Sequence, residues 1–201
     1  MRLSAIVALL VVTAIPTTTA GAGSRATIEL FDGHTLTGWR HSGPGRFTVE
    51  RGALVSHGGM GLLWYSLRRF RNFELQIDWK VADQCNNSGI FVRFPGRPAS
   101  PLDAVSTGYE VQIDDCDERG LKYQTGAIYD FAEARRLASR PAGQWNRYVI
   151  RVVGQHYTVV LNGERVTEFD GTRGRVGYVG LQNHDPTSRV SFRRLRVRLL
   201  P

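Results

Sequence analysis

Apolar and polar residues alternate with a period of two along much of this chain, and this pattern constrains the fold more than any other feature. Segment 73–81 places apolar residues at every odd position and Glu, Gln, Asp or Lys at every even position. Segments 109–114 and 157–161 show the same alternation. Successive side chains of a strand point to opposite faces of a sheet, so each segment predicts a half-buried β-strand.

Further short strand candidates, separated by Gly and Pro, lie at 27–31, 47–50, 53–56, 62–65, 90–94, 147–153, 164–169, 178–182 and 190–199. Asn162-Gly163 predicts a two-residue hairpin turn, and a change of phase at Arg193-Arg194 predicts a β-bulge. Only Ala132–Ser139 has a helical pattern, and Pro95–Pro101 is the longest predicted loop, a candidate lip over a binding face. About a dozen strands in one domain predict an all-β antiparallel sandwich or barrel.

Residues 1–22 have the composition of a signal peptide. A basic residue precedes an apolar run over 3–15, Pro16 ends the run, and small residues suited to a signal peptidase follow. The run is shorter than the roughly 20 residues that cross a bilayer as a helix, which argues against an uncleaved anchor. We therefore expect a secreted or periplasmic protein in which 23–201 form one domain, free of the membrane after cleavage.

An oxidising compartment changes how the two cysteines are interpreted. Cys85 and Cys116 lie 31 residues apart, and export favours a disulfide between them over two separate buried thiols. Without a suitably spaced His they would make a poor zinc site.

The chain is basic, with 26 Lys and Arg against 18 Asp and Glu and a net charge of +8. The basic residues are scattered along the chain, whereas a nucleic-acid binder usually gathers them in one stripe or tail. We therefore expect an Arg-rich solvated surface and no nucleic-acid partner.

Two strands carry polar faces of different character. The even positions of 73–81 mix both charges, which predicts an ordinary solvated face. Glu110, Gln112 and Asp114 instead offer only carboxyl and amide groups, which suit sugar hydroxyls, although a wet strand face remains the alternative. Glu110 and Asp114 are four residues apart, about 13 Å along a strand, which is too far for the ~5 Å carboxylate pair of a retaining glycosidase.

Smaller clusters offer further candidates for a site. Asn87 stands in an Asn-Asn-Ser-Gly turn that opens the strand leading to Arg93, and Gln182 and His184 close another strand. His184 could act as a general base or could be structural. The acidic run over 114–118 lacks the spacing of a known calcium loop. No phosphate loop, dinucleotide motif or nucleophile elbow occurs, so we expect no cofactor, although carboxylates on a sheet face could recruit a divalent metal.

Taken together, eight blocks in order resemble the 3-keto-disaccharide hydrolase family, long described as a domain of unknown function. The resemblance runs from about Ile28 to Leu200. The blocks are Leu30-Phe31-Asp32-Gly33 with Gly38-Trp39, Phe73-Glu74-Leu75, Asn87-Ser88-Gly89-Ile90-Phe91 with Arg93, Gly108 to Asp114, Thr125 to Tyr129, Gly143 to Asn146, Leu161-Asn162-Gly163, and Gly180 to His184 with Val190 and Phe192-Arg193.

The resemblance implies a concanavalin A-like jelly roll of two antiparallel sheets with a sugar-binding concave face. The strand around Glu110 also resembles the acidic strand of laminarinase-type glycosidases, but Gln112 replaces their middle carboxylate. The family activity implies cleavage of 3-keto-disaccharides or 3-keto-glycosides by C2 deprotonation and β-elimination, on sugars that a partner 3-dehydrogenase supplies.

On this reading, Glu110 or His184 is the base and Arg93 is the oxyanion partner. The sugar would be oriented by Asn87, Gln112, Asp114, Tyr129 and Gln182. A carbohydrate-binding module without catalysis, a carboxylate glycosidase acting on unoxidised glycans and a protein-interaction sandwich are the alternatives, because a fold does not fix a function.

Overall fold

Two antiparallel sheets pack face to face in the computed structural model, which describes residues 26–201. The signal peptide predicted for 1–22 lies outside the described residues. In chain order the strands are β1 (Thr27–Glu29), β2 (Trp39–Ser42), β3 (Arg46–Glu50), β4 (Ala53–His57), β5 (Gly61–Tyr65), β6 (Phe73–Val81), β7 (Ser88–Phe94), β8 (Tyr109–Ile113), β9 (Asn146–Val153), β10 (His156–Leu161), β11 (Glu164–Asp170), β12 (Tyr178–Asn183) and β13 (Val190–Leu199), with helix α1 (Leu102–Thr107) between β7 and β8.

The larger sheet has eight strands in the order β11-β10-β9-β6-β13-β4-β3, with β1 also paired to β13. The smaller sheet has five strands in the order β2-β5-β12-β7-β8. Neighbouring strands pair antiparallel throughout, which confirms the predicted all-β jelly-roll sandwich.

The core lies between the inner faces of the two sheets. Alternate residues of each strand supply it, as the period-two pattern predicts: Leu75 and Ile77 from β6, for example, and Val111 from β8. A smaller apolar cluster that includes Trp64 and Phe91 lies on the other side of the five-stranded sheet, where α1 covers it. Half of this outer face is therefore apolar and covered, and the remainder is free to carry polar groups.

Two local predictions are confirmed by backbone geometry. Asn162 and Gly163 both have positive φ, 53° and 92°, as a primed hairpin turn requires. The pairing of β13 with β6 shifts register between Arg193 and Arg196, and Arg194 has a φ of 53°, which places the β-bulge where the sequence predicts it.

The helix predicted at Ala132–Ser139 is wrong. Ala132 forms a β-bridge with Ile128, and the segment continues as bends and irregular chain. The helix forms instead at α1, where Pro101 supplies a fixed φ and the Asp103 carboxylate accepts hydrogen bonds from the amides of Ala99 and Ser100. Among residues 26–201, no helix is long and apolar enough to cross a membrane.

Candidate functional site

The outer face of the five-stranded sheet carries the polar positions of β8. Tyr109, Val111 and Ile113 point into the core, so Glu110 and Gln112 point to the opposite side. Gly89 of β7 pairs with Gln112 in the neighbouring strand, and because it has no side chain it leaves room above the sheet for that of Glu110.

A cleft of about 160 Å³ lies over these residues. It brings together six of the eight side chains that the sequence selects: Asn87, Glu110, Gln112, Tyr129, Gln182 and His184. Its other walls are Met60 and the α1 residues Leu102 and Val105 on the apolar side, and Arg119 on the polar side. One cleft with amide, carboxyl, imidazole and guanidinium groups can both bind a polar ligand and move protons.

Glu110 is the most buried acid of the cleft, with 4% of its surface exposed. Its side chain lies across Gly89, where an added Cβ would stand 2.1 Å from Glu110 Oε1. Burial raises the pKa of this carboxyl from 4.5 to about 8, because desolvation penalises the charged form. Glu110 is therefore a neutral, protonated acid at pH 7.

Several acceptor atoms of the cleft lack any protein partner. The buried side-chain oxygens of Asn87, Gln112 and Gln182 accept no hydrogen bond within the described chain, and neither does Glu110 Oε1. Buried polar atoms are normally paired, so a group of unpaired acceptors in one cleft indicates that a ligand supplies the donors. Sugar hydroxyls are donors of the required kind.

His184 is held by its neighbour in the chain. Its Nδ1 lies 3.0 Å from Asp185 Oδ2, and the same carboxylate accepts hydrogen bonds from Thr187 and Ser188. Burial acts to raise the pKa of Asp185, but the hydrogen bonds from Ser188, Thr187 and His184 outweigh it and keep that pKa well below its usual range. Because an ionised Asp185 can only accept hydrogen bonds, His184 Nδ1 is the donor in this contact, and Nε2 has no hydrogen-bond partner within the described residues.

Asp114 supports the cleft from beside it. It lies just beyond the end of β8, and its Oδ2 accepts a hydrogen bond of 2.8 Å from Asn87 Nδ2. The predicted disulfide between Cys85 and Cys116 is confirmed. It joins the turn before β7 to the chain after β8, so it fixes the two segments that carry Asn87 and Asp114.

The structure does not bring Arg93 into the cleft. Arg93 is the extra residue of a bulge in β7, with a φ of 65° at the point where the pairing with β12 shifts register. The bulge turns its side chain toward the interior, where it is fully buried, lies over the rings of Phe73 and Tyr157, and donates to the carbonyls of Arg71 and Gly174.

Arg119 is the guanidinium that the cleft does contain, and the sequence reasoning missed it. Its head group pairs with Asp117, stacks 4.0 Å from the centre of the Tyr123 ring and donates to Tyr129 Oη. The loop after β8 carries it over the sheet. The Asp-Glu-Arg sequence at 117–119 gave no signal beyond that of a charged turn.

The acidic side chains that follow β8 contact different partners and do not form one cluster. Asp115 accepts from Gln84 and Ser139, and Asp117 is bound to Arg119. Within residues 26–201, no three His, Cys, Asp or Glu side chains gather in a way that could hold a metal ion.

Several proteins with similar sequences or folds have names that refer to carbohydrates. The chain is 26% identical to the 3-keto-disaccharide hydrolase of Bacteroides thetaiotaomicron, over 86% of this chain and 78% of that protein. The fold matches the crystal structure of a candidate glycosyl hydrolase from Parabacteroides distasonis with a TM-score of 0.74 and 26% identity, over 87% of this chain and 100% of that one. A carbohydrate-binding module from Bacillus subtilis shares the fold alone, with a TM-score of 0.59 and 16% identity over 80% of this chain and 95% of the module.

A match to a domain family extends over nearly the whole described chain. The 3-keto-alpha-glucoside-1,2-lyase-like domain matches residues 26–198, which include both sheets and every residue of the cleft. The chain therefore belongs to the 3-keto-alpha-glucoside-1,2-lyase-like domain family.

Proposed function

We propose that this protein cleaves the glycosidic bond of 3-keto-glucosides. The observation that carries the proposal is that one cleft contains both a neutral buried acid, Glu110, and an imidazole, His184, whose second nitrogen has no partner in the described chain. A family match and a 26% identical relative named 3-keto-disaccharide hydrolase support the choice of substrate.

The chemistry follows from the ketone at C3, which acidifies the proton on C2. A base takes that proton, and the electron pair of the C2–H bond passes into an enolate whose negative charge rests on the C3 oxygen. The enolate then re-forms the C3 carbonyl, a double bond forms between C1 and C2, and the C1–oxygen bond breaks. The leaving oxygen takes up one proton, and later addition of water across the double bond gives net hydrolysis.

His184 is the base in this scheme, and Glu110 is the acid. His184 Nε2 has the lone pair to take the C2 proton, since Asp185 holds Nδ1. Glu110 carries its proton at pH 7 and can give it to the leaving oxygen. An acid and a base with separated protonation states are what this elimination needs.

Arg119 takes the role of oxyanion partner that the family resemblance assigns to Arg93. Its guanidinium lines the cleft and is fixed by Asp117 and Tyr129. A fixed positive group beside the C3 oxygen would stabilise the charge that develops there. Asn87, Gln112 and Gln182 would orient the sugar through their unpaired oxygens, with Tyr129 forming a wall and Asp114 positioning Asn87.

The proposal includes export and a supplier of substrate. A disulfide is typical of an oxidising compartment, which agrees with the signal peptide expected at 1–22. The ketone must come from oxidation of the sugar at C3, so a sugar 3-dehydrogenase would act before this protein. We propose that the side chains alone carry the reaction, and addition of EDTA would test this.

The test compares matched glucosides, native and oxidised at C3, with and without EDTA. We expect the protein to release the leaving group only from the oxidised set. His184→Ala and Glu110→Gln should each lower kcat by about 10²–10⁴-fold. His156→Ala is the matched control, because His156 forms the same kind of contact with Asp170, at 2.9 Å, on the other sheet.

Each alternative outcome has a distinct meaning. Cleavage of the native set would replace the proposal with a carboxylate glycosidase. Sugar binding without cleavage would leave a binding module. Full turnover by both His184→Ala and Glu110→Gln would refute the assigned roles.

A further inference from the structure

A second cavity, of about 180 Å³, adjoins the cleft. The two spaces share Val105, Glu110 and Tyr129 as walls, so both border the buried acid. Beyond these shared residues, the second cavity is lined by Ser106, Gly108, Tyr109, Asp130, Phe131 and Arg173. Nothing in the scheme above uses it.

The size of each space indicates that both are needed for one ligand. Pockets that bury a small molecule usually measure about 300–1,000 Å³, and each of these is smaller. A glycoside held by the cleft alone would leave one of its two parts outside. Since Glu110 borders both spaces, an acid that protonates the leaving oxygen would stand between the sugar and the leaving group.

The two spaces differ in the hydrogen bonds they have to offer. The cleft has four buried acceptors without partners. In the second cavity, by contrast, Glu110 is the one lining residue that has such an unpaired buried acceptor. Arg173 donates to the carbonyls of Val105 and Gly108, the Ser106 hydroxyl donates to the Asp103 carbonyl, and the Asp130 carboxylate accepts from Tyr123. A second sugar ring would therefore find fewer unpaired buried acceptors there than in the cleft, whereas an apolar ring needs none.

Phe131 supplies the surface that such a ring would contact. Its side chain is 44% exposed although it is aromatic. Its ring packs edge-to-face against Tyr109 at 5.2 Å and at a tilt against Phe169 at 5.6 Å, and the Arg173 guanidinium lies 4.8 Å from the ring centre. A rigid, exposed aromatic ring at the wall of a cavity is typical of a binding surface for another ring.

We propose that this second cavity is the leaving-group subsite and that it takes an aromatic aglycone, so that the preferred substrates are aryl 3-keto-glucosides. The inference rests on the proposed function for its chemistry. The carrying observation is the contrast between an amide-lined cleft with four unpaired buried acceptors and an aromatic-walled cavity in which Glu110 alone has one, with Glu110 bordering both spaces.

The first arm of the test measures turnover. The 3-keto-glucosides of phenol and methanol and a 3-keto-disaccharide, all of one anomeric configuration, are compared on the wild type, Phe131→Ala and Leu137→Ala. Leu137 is also 44% exposed but lines neither space, which makes it the matched control. We expect Phe131→Ala to lower kcat/KM about tenfold for the phenyl substrate, mainly through KM, and less than about twofold for the methyl one.

The second arm needs no catalysis, so it separates this inference from the proposed function. Binding of unoxidised phenyl glucoside and methyl glucoside is followed by ligand-observed NMR. Tighter binding of phenyl glucoside that is lost in Phe131→Ala and kept in Leu137→Ala would support the subsite, even if no 3-keto substrate is cleaved. The inference is overturned if Phe131→Ala affects all leaving groups equally, or if the wild type favours the disaccharide over the phenyl substrate.

Discussion

Glu110 shows how one residue can be set for acid chemistry by its position in a sheet. It occupies an outward position of β8, where a carboxylate would ordinarily be solvated. Here Gly89 gives it room to lie flat on the sheet, and the covering residues remove its water. The result is a carboxyl group with a pKa of about 8, in a cleft that also contains an imidazole.

This residue also makes stability depend on pH in a defined direction. Its pKa in the folded protein, about 8, is above the value of 4.5 for an unperturbed carboxyl. Below pH 4.5 both states are protonated and the residue costs nothing. As pH rises from 4.5 to 8, the unfolded chain releases a proton that the folded chain keeps, so folding stability falls by up to about 1.4 kcal/mol per pH unit.

We therefore expect Glu110→Gln to remove this fall. Urea unfolding of the variant and the wild type between pH 5 and pH 9 should give curves that diverge up to about pH 8 and run parallel above it, with the variant more stable. Parallel curves from pH 5 to pH 8 would mean that Glu110 is ionised in the folded protein.

Gly89→Ala tests the same group from the neighbouring strand. The new methyl carbon would lie 2.1 Å from Glu110 Oε1, so the carboxyl must leave its place. We expect kcat/KM to fall about 10²-fold while the protein stays folded. In a Glu110→Ala background the same change should cost much less unfolding free energy than in the wild type, as a double-mutant cycle would measure. Equal costs in both backgrounds would show that the contact does not exist.

At the scale of elements, the disulfide ties together the two segments that frame the cleft. Cys85 precedes β7 and Cys116 follows β8, with 31 residues between them. The double variant Cys85→Ser/Cys116→Ser should lose about 3 kcal/mol of unfolding free energy, because the unfolded chain is no longer constrained. Urea titration measures this loss, and the reduced wild type should show the same one. KM should rise as well, since Asn87 lies two residues from the bond; an unchanged KM would show that the cleft does not depend on it.

The elements also show how far the sequence alone could predict this structure. Apolar and polar residues alternate without a break in strands such as β6, because one face of each strand lies in the core. The alternation is therefore enough to predict these strands. β2, with the sequence Trp-Arg-His-Ser, is a short edge strand without that pattern, and it was missed. The helix at 102–107 depends on Pro101 and Asp103 rather than on an apolar period, which explains why the predicted helix was misplaced.

The same distinction applies to the site, where some residues could be placed from a local pattern and others could not. Glu110 and Gln112 could be placed on one face because their strand is regular. Arg93 could not, because the bulge that turns it inward depends on the register with β12. The burial of Glu110 and the position of Arg119 in the cleft depend on the loop after β8. The course of this loop is set by tertiary contacts and not by a local pattern.

At the scale of the whole molecule, the outer faces of the two sheets carry different kinds of residue cluster. The five-stranded sheet carries the cleft, while the eight-stranded sheet carries an ion-pair cluster around Asp78. The sequence predicted Asp78 to be solvated, but it is 4% exposed. Its carboxylate lies 2.7 Å from Arg147 Nε on β9, and 3.6 and 3.5 Å from Arg193 and Arg194 on β13. One acid thus links three neighbouring strands, on the side of the core opposite to the cleft.

Asp78→Asn should lower stability without changing activity. The variant leaves three arginines without their shared counter-charge, and a buried charged hydrogen bond is lost, so we expect the unfolding free energy to fall by about 1–3 kcal/mol. The control is Glu164→Gln, which breaks an exposed pair of 3.0 Å with Arg136 and should cost about 0.5 kcal/mol or less. Urea unfolding measures both changes.

Since the cleft lies beyond the core, kcat and KM of the folded Asp78→Asn protein should stay within about twofold of the wild type. A change in KM without a loss of stability would mean that the ion-pair cluster acts on the cleft through the core, and that the two faces are coupled.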